Sequence, residues 1–138
     1  MKFYLAIFVA AVVAWFAGAL WYMVLGRHWM AALGRTPDDI AAEKQKPGAF
    51  LPFIYAFAAE LVMAWILAGV LLHLAPRVPL TVRSGSISGA FCWFGFVITT
   101  MLVNSVFSRR DWRLLWIDGG HWLLVLVLMG AVIGAIGL

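Results

Sequence analysis

The sequence predicts an all-α fold, a bundle of four transmembrane helices in an integral membrane protein. Of its 138 residues, 65% are hydrophobic and only 12% are charged, whereas about half of the residues in a water-soluble globular protein are apolar. The apolar residues form four runs, each close to the roughly 20 residues that a helix needs to cross a bilayer. Helices are expected because a backbone in lipid must satisfy its hydrogen bonds internally.

The four runs fill most of the chain and predict a single polytopic membrane domain. The first run could also be a signal peptide, with Lys2 before it and a small-residue segment at Ala17–Ala19. Its apolar stretch continues to Leu25, however, which favours a retained helix. The predicted spans are residues 3–25, 49–72, 85–107 and 117–138.

Basic residues indicate the orientation, because Lys and Arg near the spans are retained on the cytoplasmic side. The first and third loops carry Arg27, Arg35, Lys44, Lys46, Arg109, Arg110 and Arg113, whereas the opposite side carries Lys2, Arg77 and Arg83. We therefore expect a multi-pass protein of the cell inner (plasma) membrane with both termini on the outer side. The basic residues form no continuous face with stacking aromatics, which argues against nucleic acid as a partner.

The first loop contains the signals of a short cytoplasmic helix over residues 36–46. Thr36 is a typical N-cap residue, Pro37 suits the first helical position, and Pro47 with Gly48 suits the stop. An ordered, solvated helix is the simpler interpretation, and a docking site for a partner is the alternative. Several aromatic residues flank the loops and are interpreted as anchors at the membrane interface: Trp21, Tyr22, Trp29, Trp112 and Trp116.

Small residues at four-residue spacing predict close helix contacts, because lipid chains are as apolar as leucine and leave backbone proximity to bring helices together. In the fourth span, Gly130 and Gly134 lie on a different face from Asp118. If Asp118 points into the bundle, the glycine face is free for a second copy. We therefore expect a homo-oligomer through Gly130 and Gly134, with membrane lipid around it.

Polar side chains inside the spans are costly and normally face protein or water. Glu60 lies near the middle of the second span, with alanines four residues away on each side. We expect it to converge with other polar residues in the cytoplasmic half of the bundle as a ligand-binding pocket: Thr100, Asn104, Asp118 and His121. Two alternatives remain open. Asp118 could instead cap a helix that starts at Gly119, and Glu60 could be an interhelical hydrogen-bond residue.

Motifs for catalysis are missing from the sequence. It has neither a serine-nucleophile motif nor a phosphate-binding glycine loop, and Cys92 is its single cysteine. Glu60 together with Asp118-x-x-His121 resembles half of the pattern that binds two iron ions in helical bundles. We predict no catalytic residue, no metal site and no cofactor, and an enzyme acting on lipid is a distant third hypothesis.

Several motifs together resemble the bacterial membrane family called domain of unknown function 1761. They are Trp21-Tyr22, Gly26, Trp29, the GFVITT segment, Phe107 before arginines, and Ile117-Asp118-x-Gly. The resemblance covers nearly the whole chain and implies four membrane helices, but it implies no reaction, ligand or catalytic residue. The family pattern favours an aromatic residue where this chain has His121.

Two functions fit the sequence. In the first, the polar residues bind a small polar or cationic ligand, or conduct protons. In the second, the protein is a structural or accessory subunit, and its aromatic and glycine faces contact another membrane protein.

Overall fold

The structure is a computed structural model that describes all residues from Met1 to Leu138, and it confirms the all-α bundle. The elements are α1 (Lys2–Leu33), α2 (Pro37–Lys44), α3 (Leu51–Leu74), α4 (Val82–Cys92), the π-helical segment Trp93–Ile98, α5 (Thr99–Phe107) and α6 (Trp112–Ile136). Helix α4, the π-helical segment and α5 form one continuous helix, Val82–Phe107, so four helices are long and apolar enough to cross a membrane.

Helix α6 lies at the centre, with α1 on one side and α4 on another, while α3 packs on α1 and also touches α6. Helices α1 and α6 are antiparallel: Gly18 lies against His121, whereas Trp21 reaches back to Ile117. The buried apolar side chains of α1, α3 and α6 form one core between these helices. We call the end of the bundle where α1 and α5 finish and α3 and α6 start the basic end, because it carries seven basic residues: Arg27, Arg35, Lys44, Lys46, Arg109, Arg110 and Arg113.

Helix α1 ends at a glycine, and the loop that follows contains the short helix α2. Gly34 has φ 68° and ψ 26°, the left-handed conformation that commonly ends a helix. The Thr36 hydroxyl accepts a hydrogen bond from the Asp39 N–H, and the Asp39 carboxylate accepts one from the Thr36 N–H at 2.8 Å. These bonds from Thr36 hold the pKa of Asp39 below its usual value. The cap is therefore strongest above the ordinary pKa of an aspartate and weakens as the pH falls through the lowered one.

Helices α4 and α6 meet through glycines, and we call this contact the glycine seam (Gly85 and Gly89 on α4, Gly130 and Gly134 on α6). A Cβ atom at Gly85 would collide with the carbonyl oxygen of Gly130, and one at Gly134 with the carbonyl oxygen of Thr81. The two backbones are therefore in direct contact. This corrects the expected use of Gly130 and Gly134: they pack against α4 of the same chain, and a second copy would have to use another face.

The π-helical segment changes which side of the third span faces α6. In an uninterrupted α-helix, Thr100 and Asn104 would follow Gly89 on the buried face, because residues 11 and 15 positions apart share a face. A π-helical turn holds one extra residue, so the buried face is displaced by one position. Ser105 is buried with 8% exposure, whereas Thr100 and Asn104 are exposed.

Helix α6 starts before the predicted position. Asp111 is its N-cap, and the carboxylate of Asp111 accepts a hydrogen bond from the Arg113 N–H at 2.8 Å. Hydrogen bonds from Arg113 lower the pKa of Asp111, as expected for a charged cap. Asp118 therefore lies inside α6, in its second turn, and the alternative that Asp118 caps the helix is wrong.

Candidate functional site

Asp118 is held by two aromatic side chains of α1. The Tyr22 hydroxyl donates a hydrogen bond to Asp118 Oδ1 at 2.7 Å, and the Trp29 indole N–H donates to the same oxygen at 3.1 Å. Tyr22 and Trp29 can reach one atom because seven residues are about two helical turns, which places both on one face of α1. Their rings meet edge to face, with centroids 5.7 Å apart. The two donors thus fix the carboxylate in position without supplying a charge.

Two further indoles bind the backbone on either side of Asp118. Trp21 Nε1 donates to the carbonyl oxygen of Ile117 at 3.0 Å, and Trp93 Nε1 donates to that of Gly119 at 2.7 Å. Trp93 is the first residue of the π-helical segment, so the third span also contributes a donor. We call Trp21, Tyr22, Trp29 and Trp93 the aromatic clamp. It joins α1 and the third span to the same turn of α6.

The negative charge of Asp118 has no basic partner. The ion pairs of the structure are Arg35–Glu43 and Arg113–Asp111, both outside the bundle interior. Oδ1 of Asp118 accepts both aromatic hydrogen bonds, while Oδ2 accepts none and the side chain is only half-buried. One carboxylate oxygen therefore remains accessible and free to accept a donor.

His121 follows Asp118 by one turn and is more deeply buried, with 6% exposure. Its ring packs against the Tyr22 ring, with centroids 4.9 Å apart, and against Gly18 of α1. A Cβ at Gly18 would lie only 2.6 Å from His121 Nε2, so the glycine provides the space for the imidazole. The ring makes no hydrogen bond, and its Nδ1 is buried without a partner.

Glu60 is the most buried of the predicted site residues, with 2% exposure. It lies on the buried stripe of α3 with Ala64, Leu67 and Ala68, as the four-residue alanine spacing predicts. Its side chain makes no hydrogen bond, and Oε2 is buried without a partner. No hydrogen bond joins Glu60 to Asp118.

Of the five polar residues expected to converge, only Asp118 and His121 lie together, and both contact Tyr22. Thr100 and Asn104 are on the exposed side of the third span because of the π-helical turn, and the Thr100 hydroxyl donates to the Phe96 carbonyl of its own helix at 2.6 Å. Glu60 is sheltered in the bundle but is not bonded to the others.

Trp21, Tyr22 and Trp29 of the aromatic clamp are the part of the site that the sequence analysis missed. Tyr22 and Trp29 were interpreted as interface anchors, although their two-turn spacing already places two polar-tipped rings on one helix face. That spacing, together with an aspartate in the fourth span, is the signal that could have indicated the contact.

Four apolar helices are long enough to cross a membrane, and an aspartate on one of them is bound by aromatic side chains of another, which is compatible with a multi-pass membrane protein. The chain belongs to the family described as Protein of unknown function (DUF1761), whose family model matches residues 5–134. The predicted family resemblance is therefore confirmed over nearly the whole chain. No curated protein and no solved structure matches the chain.

Proposed function

We propose that the protein binds a small cation of the ammonium type at Asp118, from the basic end of the bundle. The observation that carries this proposal is the carboxylate itself: Oδ1 is bound by the neutral donors Tyr22 and Trp29, Oδ2 is free, and no basic side chain neutralises the charge. A charged side chain within a span costs at least about 2.5 kcal/mol at the centre of the bilayer. A bound cation offsets part of that cost.

The donor set supports an ammonium ion over a hydrated metal ion. Calcium takes six to eight oxygen ligands and magnesium an octahedral set, whereas Asp118 offers one free oxygen. An ammonium N–H needs a single acceptor, and the nearby rings of Tyr22 and Trp29 can add cation–π attraction. We place the basic end in the cytoplasm, as the distribution of Lys and Arg indicates.

A titration of the purified protein with methylammonium chloride tests this proposal, with sodium chloride at equal ionic strength as the reference. Tryptophan fluorescence reports binding because Trp29 touches the carboxylate. We expect saturable binding of methylammonium. The affinity should fall at least about tenfold in Asp118→Asn, since hydrogen bonds to charged groups contribute about 1.5–3 kcal/mol. The asparagine oxygen can still accept from Tyr22 and Trp29, so the fold should be retained.

Asp111→Asn is the matched control, because it removes a carboxylate at the exposed start of α6. It should bind methylammonium like the wild type. Unchanged binding in Asp118→Asn, or a wild-type response no different from that to sodium chloride, would contradict the proposal.

The second candidate is a structural or accessory subunit, and one observation favours it. The indole N–H groups of Trp21, Trp29 and Trp93 are all used within the chain, as interhelical hydrogen bonds. In that function Asp118 serves only as an acceptor, so Asp118→Asn would preserve the protein's interactions as well as its fold.

A further inference from the structure

A second carboxyl lies inside the bundle without any partner. Glu60 is 2% exposed, its side chain makes no hydrogen bond, and it shares its face of α3 with apolar residues only. His121 of α6 is 6% exposed, and its Nδ1 is also unpaired. Each is the tenth residue of its helix, so each lies about 14 Å beyond its helix start at 1.5 Å per residue.

Glu60 has no basic residue to neutralise it. An ionised carboxylate in an apolar interior is disfavoured unless a positive charge compensates it, because nothing else replaces its hydration. No Lys or Arg of the chain is buried. The other titratable side chains on the helices around Glu60 are Lys2, Tyr4, Tyr22, Arg27 and His28 on α1, Arg83 and Cys92 on α4, Arg113, Asp118 and His121 on α6, and Tyr55 and His73 on α3 itself. A proton is the ligand that this enclosed, unpaired carboxyl can accommodate.

We propose that Glu60 holds a proton and releases it when a cation binds at Asp118, so that the protein exchanges one cation for one proton. In this step the O–H bond of the Glu60 carboxyl breaks, its electron pair stays on the carboxylate, and the proton passes to solvent. Before the cation binds, the charge of Asp118 opposes a second negative charge in the same bundle. The cation cancels that charge, and the effect extends further in a low-dielectric interior than in water.

This exchange rests on the proposed cation site, and a proton count separates the two. The full chain in detergent, in weakly buffered solution at neutral pH with a pH-indicator dye, is titrated with methylammonium chloride. The wild type should release one proton for each cation bound. Glu60→Gln should bind methylammonium but release no proton, and Asp118→Asn should do neither. Glu43→Gln, which removes a carboxyl paired with Arg35 outside the core, should behave as the wild type.

Methylammonium binding without proton release overturns the exchange and leaves the cation site standing, as does proton release from Glu60→Gln equal to that of the wild type. Absence of methylammonium binding overturns both proposals. If Glu60→Gln does not fold, infrared spectroscopy of the wild type replaces it. The carbonyl stretch of a protonated carboxylic acid should disappear when methylammonium is added, and its persistence overturns the exchange.

Discussion

The two sides of α6 are attached to their neighbours in different ways. At the glycine seam, α6 contacts α4 backbone to backbone, because Gly85 and Gly130 leave no space for a side chain between them. At the aromatic clamp, α6 contacts α1 and the π-helical segment through four side-chain hydrogen bonds. The first contact depends on the absence of side chains, and the second depends on large ones with polar tips.

The difference shows where this bundle can carry chemistry. Close backbone contact gives dispersion attraction between helices that lipid would otherwise separate, but it leaves no polar group free. The clamp gives directional bonds of modest strength, and it holds Asp118 with one oxygen unused. We therefore expect substitutions in the seam to change stability alone, and substitutions in the clamp to change stability and ligand binding together.

The largest expected effect is that of Gly130→Leu. A Cβ at Gly130 would already collide with the Gly85 carbonyl oxygen, so the leucine forces α4 away from α6. We expect a loss of at least about 3 kcal/mol in the free energy of unfolding, at the upper end of overpacking costs, measured by circular dichroism during titration with sodium dodecyl sulfate. Gly69→Leu on α3 is the control, since nothing lies within 4 Å of a Cβ there. Equal stability of the two variants would show that the seam is not a close contact.

An intermediate effect is expected for Asp118→Ala, which tests the clamp. This variant leaves the Tyr22 hydroxyl and the Trp29 indole without their acceptor, and we expect a loss of about 2 kcal/mol because unpaired polar groups are costly. Asp118→Asn keeps an acceptor oxygen and should lose less than about 1 kcal/mol. If alanine and asparagine destabilise equally in the same unfolding titration, the hydrogen bonds to Oδ1 contribute nothing and the clamp does not depend on Asp118.

The membrane helices could be predicted because each long apolar run carries enough hydrophobicity to determine its own structure. The packing partners could not. Four-residue spacing of Gly130 and Gly134 indicates a close contact, but the same spacing serves a second copy or a neighbouring helix of the same chain. The contact with Gly85 depends on how the third span is placed beside the fourth, which no local pattern encodes.

The candidate site was predicted in part for a similar reason. Asp118 and His121 are conspicuous because they are polar within an apolar run. The alanines four residues before and after Glu60 predict that its side chain faces the bundle interior. The exposure of Thr100 and Asn104 depends on one extra residue in the turn Trp93–Ile98. That segment has the apolar composition of an ordinary membrane helix. The sequence therefore does not indicate that the buried face of the third span is displaced by one position.

The smallest expected effect, that of Trp93→Phe, measures a single bond of the clamp. Phenylalanine keeps most of the apolar contact of Trp93 but removes the N–H that donates to the Gly119 carbonyl oxygen at 2.7 Å. We expect a loss of about 1 kcal/mol in the free energy of unfolding, in the same detergent titration. Trp116→Phe is the matched control, because Trp116 is 71% exposed and its indole N–H makes no hydrogen bond, so its loss should be near zero. Equal losses in the two variants would mean that the Trp93 hydrogen bond does not help to hold the third span against α6, and the clamp would then join only α1 to α6.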